Sequence, residues 1–344
     1  MLLPAILVVA SVFLSAWLTG RIRTYAISKR VIDVPNERSS HRVPTPRGGG
    51  IAIAATVIGS LLVAAAAGWI TPSEALALAV GGALVAAIGF ADDVRPLGRR
   101  WRLLGHFTAA VLVLFWAGGF PPVTILNIPI EAGLWTNGLA ALYIVWMINL
   151  TNFMDGIDGI AATEALIVGA AGSALAAMVA AGGTGWLPPL LLAAGAAGFL
   201  AWNWPPAKIF MGDSGSGFLG FSLAALSIYA ARTAPALFWS WVILLGVFVV
   251  DATLTIVRRT LSRQRIYEAH RTHAYQHAAI RYGSHRTVTI VVALITLFWL
   301  LPLAAAVAIE TIDGFVGVLV AYAPLTALAL RLDAGRTYNG GQLP

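Results

Sequence analysis

Asn149-Leu-Thr-Asn152-Phe-Met-Asp155-Gly156-Ile-Asp158-Gly159 interrupts two long apolar runs with a cluster of amides and carboxylates. Asn149, Asn152, Asp155 and Asp158 recur every third residue, so a helix entering this stretch carries them on one slowly drifting face. Gly156 and Gly159 then release the backbone from helical geometry, which lets side-chain and carbonyl oxygens converge on one ligand. Hard oxygens of this kind suit magnesium and phosphate. A polar turn between two spans draws on the same residue types, but it does not explain four such groups at a strict spacing.

The apolar runs on either side set the fold class. With 59% hydrophobic and 11% charged residues in 344, the chain cannot hide its apolar surface in one water-soluble core and reads as an integral membrane protein. Long apolar blocks without alternation must cross as helices, because a bilayer leaves no water for backbone groups. The expected architecture is an all-α polytopic bundle of about eleven transmembrane helices, starting near Leu2, Ile51, Ala75, Leu103, Gly138, Ile160, Trp186, Gly217, Ala236, Val288 and Phe315. The fifth and eighth blocks, 138–150 and 217–231, are short, so their helices should take in neighbouring polar residues. No basic residue precedes the first block and Arg21 and Arg23 follow it, the reverse of a secretory signal, so it reads as a retained span.

Placing the N-terminus outside puts 21 of the 22 Lys and Arg residues on one side, with Arg232 the exception. That asymmetry marks the rich side, and the C-terminus with it, as cytoplasmic. The charge of +7 is then mostly topology, and a nucleic-acid partner is not indicated, since the basic residues are divided among membrane-bordering loops. Without cysteine, thiolate metal sites and cysteine nucleophiles are excluded, and chemistry falls to Asp, Asn, His, Arg and Lys. The chain reads as one membrane domain over 1–344, with polar loops near 21–50, 91–102, 149–160, 202–217 and 258–287.

All of those loops fall on the cytoplasmic side. In the first, which contains Asp33, Arg42 and Arg47 offer phosphate donors beside Gly48–Gly50, although positive-inside anchoring explains the arginines equally well. Asp92-Asp93 ends the third span. Adjacent carboxylates point roughly 100° apart on a helix, so one can address a ligand while the other engages a neighbour. Pro121–Trp135 reads as a short extracytoplasmic hairpin. Asp213, between glycines in Phe210-Met-Gly-Asp213-Ser-Gly-Ser, precedes a span whose N-terminus can cradle an anion beside a carboxylate-held metal, while Phe210 offers a flat face for a base. A glycine-rich helix start capped by Asp213 is the plainer reading. Asp251, deep in the ninth span, calls for either an ion-pair partner or a catalytic role. His270, Arg271, His273, Tyr275, Gln276, His277 and His285 follow. They suit an anion-binding lobe better than a zinc site, and a basic segment lying on anionic lipid is the competing account.

Taken together, Asp92-Asp93, Asn149-xx-Asn152-xx-Asp155-Gly-xx-Asp158-Gly, Phe210-Met-Gly-Asp213-Ser-Gly-Ser and Arg271-Thr-His273 resemble the polyprenyl-phosphate N-acetylhexosamine-1-phosphate transferases, in their order and placement as well. The likeness runs from about Asp33 to Arg286 and looks closest to the O-antigen-initiating branch. It implies transfer of an N-acetylhexosamine 1-phosphate from a UDP-sugar to undecaprenyl phosphate, releasing UMP, in the bacterial inner membrane with the site facing the cytoplasm. It implies Mg2+, with Mn2+ as a substitute, on Asp213 and Asn152. Catalytic roles would fall to Asp92, Asp93, Asp155 and Asp158, uracil stacking to Phe210, and substrate contacts to Asn149, Asn152, Arg47, Arg271 and His273. Membrane lipids are partners by necessity, and a homodimer is compatible with the likeness. Two positions depart from the family pattern: His273-Ala-Tyr275 stands in place of His-x-His, and His106 where relatives often carry Gln, so the sugar is left open. A secondary transporter with carboxylates at the membrane edge is the rival reading. It would place them near mid-membrane in two related halves, and the sequence contains no such repeat.

Overall fold

The computed structural model describes residues 2–35, 43–126, 128–180, 182–264 and 271–336. The elements are α1 (Leu2–Ser28), β1 (Ile32–Asp33), β2 (Thr45–Pro46), α2 (Gly50–Ala66), α3 (Pro72–Val94), α4 (Arg99–Ala117), β3 (Val123–Ile125) and β4 (Ile128–Ile130). There follow α5 (Leu134–Met154), α6 (Ile160–Val179), α7 (Leu187–Asn203), α8 (Asp213–Thr233), α9 (Pro235–Leu244), α10 (Gly246–Leu261) and α11 (Ala274–Tyr282). Finally, α12 (His285–Ile295) continues through a π-helical turn, Thr296–Leu300, into α13 (Leu301–Ala308), and α14 (Gly314–Arg331) closes the described chain.

Seven helical segments are long and apolar enough to cross a membrane, and eight if α9 and α10, bent by 67° at Leu245, form one broken span. The eleven expected segments each coincide with a helix or helix pair, but three are marginal as spans. α2 and α7 have only 17 residues each, and α4 begins with Arg99, Arg100 and Arg102. As expected, the fifth and eighth helices absorb their polar neighbours, reaching Asn149 and Asn152 in α5 and Asp213 in α8. The 121–135 segment does form an antiparallel hairpin, with Val123 opposite Ile130.

The core is centred on α8, which is buried along nearly its whole length and packs against α2, α3, α5, α6 and α9. Its sequence, rich in glycine, serine and alanine, is what allows this, because small residues let backbones approach without a side chain between them. Gly50 at the start of α2 and Gly215 in the first turn of α8 are in direct contact, and a Cβ on either would strike the other's Cα. α1, α2 and α7 pack together beside α8, and α6 links α7 to α9, α12 and α13. The ends of α3 and α5 and the starts of α2 and α8 thereby meet at the end of the bundle that carries the Lys/Arg-rich loops.

Candidate functional site

Arg47 is fixed first by backbone pairing. β1 and β2 form a two-stranded ladder with Ile32 opposite Pro46. Beyond it, the Phe210 N–H donates to the Pro46 carbonyl, while Gly49 and Gly50 donate to the Phe210 and Met211 carbonyls, all at 2.8–2.9 Å. The segment before α2 is thus sewn to the segment before α8. Arg47 Nη2 lies 2.7 Å from Asp93 Oδ1 and 2.8 Å from Asp213 Oδ1, a charge-assisted bridge between two acids. Asp93 also accepts from the Asp213 and Ser214 N–H groups at 3.1 and 3.2 Å. The first-turn donors of α8 are therefore capped by a carboxylate from α3, and Asp213 itself is the first helical residue rather than the cap. Gly212, at φ 78°, takes a conformation that L side chains avoid, and a Cβ there would meet the Asp93 carboxylate at 2.7 Å.

Asp92, the adjacent helical position, lies beside Asp213 as well but takes a different arginine. Its carboxylate accepts from Arg102 Nη1 and from the Leu97 N–H, both at 2.6 Å, which folds the α3–α4 turn back on itself. Arg102 Nη1 is also 3.9 Å from Asp213 Oδ2. Neither member of the Asp92-Asp93 pair is therefore idle: each has its own arginine, and both arginines reach Asp213.

The four residues of the Asn149 stretch do not share one face. α5 stops at Met154, and Gly159, at φ 77°, starts α6. The amide of Asn149 donates to the Val145 carbonyl one turn back at 2.7 Å, and Asn149 is not among the residues lining the cavity described next. Asn152, one turn on, donates to Ser216 Oγ at 2.9 Å. That leaves its oxygen as the atom suited to a metal. Asp158 accepts from the Ala207 N–H at 3.0 Å and lies 3.4 Å from His285 Nδ1, and Thr289 donates to its carbonyl at 3.0 Å. It clamps the 155–159 turn to α12 and to the loop before α8.

Between these groups is a cavity of about 260 Å3, lined by Asp33, Arg47, Asn152, Asp155, Asp158, Asn203, Phe210, Asp213, Gln276 and His285 among others. Asp155 is half-buried here. Burial first, then the negative charges of Asp213, Asp93 and Asp158, push its pKa well above the usual carboxylate range, against the pull of Arg47. A carboxyl whose folded pKa is raised contributes stability that is fully present below its unfolded pKa and lost as pH rises through the folded one. Asp155→Asn should therefore leave the melting midpoint of the metal-free protein unchanged near pH 4 and raise it at about pH 8, by roughly 2 °C for each kcal/mol recovered. A pH-independent difference would remove this account of charge crowding.

The donor set fits magnesium. Hard oxygens from Asp213, Asn152 and Asp155 line one cavity whose carboxylates outnumber its cations, and Mg2+ commonly takes only one or two protein carboxylates together with substrate phosphates. Among the described residues, no three His, Cys, Asp or Glu side chains are grouped to hold a metal.

A second, wider cavity of about 870 Å3 adjoins the first and shares Asp158, Phe210, Gln276 and His285 with it. Arg271, Arg286, Ser284 and Thr45 complete its polar lining. His273 does not line either cavity. It is buried with Nδ1 3.3 Å from Asp251 Oδ1, and Asp251 accepts from the Ala274 and Tyr275 N–H groups at 2.9 Å. This answers the question raised by the intramembrane acid: Asp251 caps α11 and pairs with a histidine rather than with a loop arginine. His277 is bonded to the Leu332 carbonyl at 2.7 Å. Arg42 and His270 lie outside the described residues. Gln276 and His285, expected in an anion-binding lobe, line both cavities, whereas Asp33 and Arg102 carried no sequence signal that marked them as site residues. Asp33 and Arg102 were visible as charges in the right loops, but nothing in their spacing pointed to a cavity.

The glycosyl transferase family 4 model matches residues 75–231. Over 285 residues, 81% of this chain and 78% of the relative, the sequence is 34% identical to a probable undecaprenyl-phosphate N-acetylglucosaminyl 1-phosphate transferase of Bacillus subtilis. It is 34% identical over 315 residues to the decaprenyl-phosphate N-acetylglucosaminephosphotransferase of Mycolicibacterium smegmatis, covering 80% and 75% of the two chains. A phospho-N-acetylmuramoyl-pentapeptide-transferase of Moorella thermoacetica is 35% identical over 238 residues, 63% of this chain and 70% of the relative.

Proposed function

This chain belongs to glycosyl transferase family 4, whose relatives above are polyprenyl-phosphate sugar-1-phosphate transferases, and on that premise we propose that it transfers an N-acetylhexosamine 1-phosphate from a UDP-sugar to undecaprenyl phosphate, releasing UMP. The observation that carries this reading is the convergence of Asp213, Asn152 and Asp155 on one cavity that opens beside a wider one lined by Phe210, Arg271 and Gln276. The first is sized and charged for a metal-bound diphosphate, the second for a base and a sugar. The distribution of basic residues supports a cytoplasmic site with the N-terminus outside, and the proposed product, made in a bacterial inner membrane, would feed O-antigen or related envelope polysaccharide synthesis.

In the reaction, an oxygen of the lipid phosphate attacks the sugar-bearing phosphorus, and the bond from that phosphorus to UMP breaks in line. Mg2+ held by Asp213 and Asn152 would neutralise charge on the diphosphate oxygens. Arg47 and Asp93 hold Asp213 and the α8 N-terminus in place, and Asp92 with Arg102 braces them from the α3–α4 turn. Asp155, with a raised pKa and a position in the cavity, takes the remaining proton of the acceptor phosphate. A phosphate pKa near 6 leaves little proton to remove, so placement matters more than basicity. Asp158 keeps the turn that carries Asp155 anchored. The secondary-transporter reading gains no support, because these acids gather at one end of the bundle and not at its middle.

One phosphoanhydride is broken and another made, so the equilibrium constant should lie within about tenfold of one. Purified protein given undecaprenyl phosphate, Mg2+ and a panel of UDP-N-acetylhexosamines should convert one of them, and labelled UMP should enter the UDP-sugar once lipid-linked product is present. Release of free sugar 1-phosphate without UMP exchange would replace the transferase with a hydrolase.

A further inference from the structure

The opposite end of the bundle holds a separate polar cavity of about 420 Å3, between the first turn of α3, the end of α4, the 183–185 turn and the last turns of α8. No part of the proposed reaction uses it. Arg232, the one basic residue on this side, donates to the Ala117 carbonyl at the end of α4. That bond occupies one of its five N–H donors, and no carboxylate among the described residues forms an ion pair with it. Glu74 faces the same cavity. Thr71-Pro-Ser-Glu74 is spelled as a capping box, and Thr71 Oγ1 does accept from the Glu74 N–H at 3.2 Å. The return bond, from the Thr71 N–H to the Glu74 carboxylate, is not made, so the carboxylate is left to the cavity. The Tyr229 hydroxyl, also in the lining, is buried without a hydrogen-bond partner.

A carboxylate and a guanidinium that share a cavity without pairing, with an unsatisfied hydroxyl beside them, call for a ligand that carries both charges. Trp116 is also in the lining, and an indole is suited to an ammonium. The cavity is formed at the start of α3 and the ends of α4 and α8, and the ends of spanning helices are where tryptophan and tyrosine meet lipid head groups. We propose that it binds the head group of an ethanolamine phospholipid, with the primary ammonium on Glu74 and the phosphodiester on Arg232 and the Tyr229 hydroxyl. Choline lacks the N–H donors that Glu74 requires, and an anionic head group would meet Glu74 without a cation of its own.

Native mass spectrometry of the purified protein, exchanged into equal mixtures of phosphatidylethanolamine, phosphatidylcholine and phosphatidylglycerol, tests this without sugar donor or acceptor, so its result is independent of the transferase reading. Wild type should retain one phosphatidylethanolamine with about tenfold preference over either competitor. Glu74→Gln should bring ethanolamine and choline lipids to parity, Arg232→Gln should lose retention of both, and Tyr229→Phe, the mildest change, should weaken retention several-fold. All three variants should keep transferase activity, which also reports that they fold. Equal retention of the three lipids by wild type, or an unchanged preference in Glu74→Gln and Tyr229→Phe, overturns the proposal. Displacement of the bound lipid by water-soluble glycerophosphoethanolamine would place the ligand's source in solution and overturn the lipid assignment.

Discussion

Asp213→Ala should lower the rate of sugar-phosphate transfer by about a thousandfold or more, roughly 4 kcal/mol of transition-state stabilisation. Asp213 stands at the first residue of α8, bridged to Asp93 through Arg47, with Asn152 on the neighbouring helix bonded one turn further along α8. Removing it takes away the charged half of the proposed metal pair and leaves Arg47 with one acid instead of two. The α8 N-terminus keeps its cap, because Asp93 accepts from backbone N–H groups that the substitution does not touch. The variant should therefore reach the membrane in normal amounts, and its melting midpoint should no longer rise when Mg2+ is added. Asn152→Ala should be milder, since a neutral oxygen offsets less charge. Activity of Asp213→Ala within tenfold of wild type, in membranes replete with magnesium, would sink the metal assignment.

Arg47→Gln should cost about a hundredfold in kcat, close to 2.7 kcal/mol. It leaves the Asp93 and Asp213 carboxylates facing each other with no cation between them, and truncating one member of a partly buried ion pair strands the rest. The side chain is 36% exposed, so solvent screens part of this loss, and the penalty stays below that of a fully buried pair. Without the guanidinium the neighbouring carboxylates hold protons more tightly, so the acid limb of the pH–rate profile should move to higher pH. Arg47→Lys separates two roles for this residue. One nitrogen, Nη2, touches both acids, and a lysine ammonium can reproduce a single-point bridge. If Arg47 acts by bridging, Lys should recover most of the activity. If it grips a substrate phosphate with both arms of the guanidinium, Lys should behave like Gln.

How legible the site was in the sequence differs from residue to residue. Asp92-Asp93, Asn152, Asp155, Asp158, Phe210 and Asp213 were marked by residue type and by position at the ends of apolar blocks, and the fold brings all of them to one end of the bundle. Asn149 and His273 carried the same marks. The first bonds within its own helix, and the second is drawn to Asp251. Asn149 fell outside because its amide is taken by the Val145 carbonyl one turn back in α5, whereas Asn152, in the last turn of the same helix, meets Ser216 of α8 and reaches the cavity. For Arg47, anchoring and function were evenly balanced until its partners were known.

By itself the sequence determined the class of molecule. Apolar blocks too long for a soluble core, with most acids and amides at the block ends and the basic residues in the loops between them, follow from the cost of placing polar groups in hydrocarbon, a cost that each segment meets alone. Tertiary structure alone decided which acid meets which base. Arg47 and Asp213 are 166 residues apart, and the Asp93 cap on α8 spans 120. Those pairings depend on Gly50 lying against Gly215 and on Gly212 adopting a backbone angle that clears the Asp93 carboxylate. Whether two backbones can come that close is a property of the packed bundle, because the steric space at a glycine is set by the neighbouring helix and not by the residues beside it in the chain.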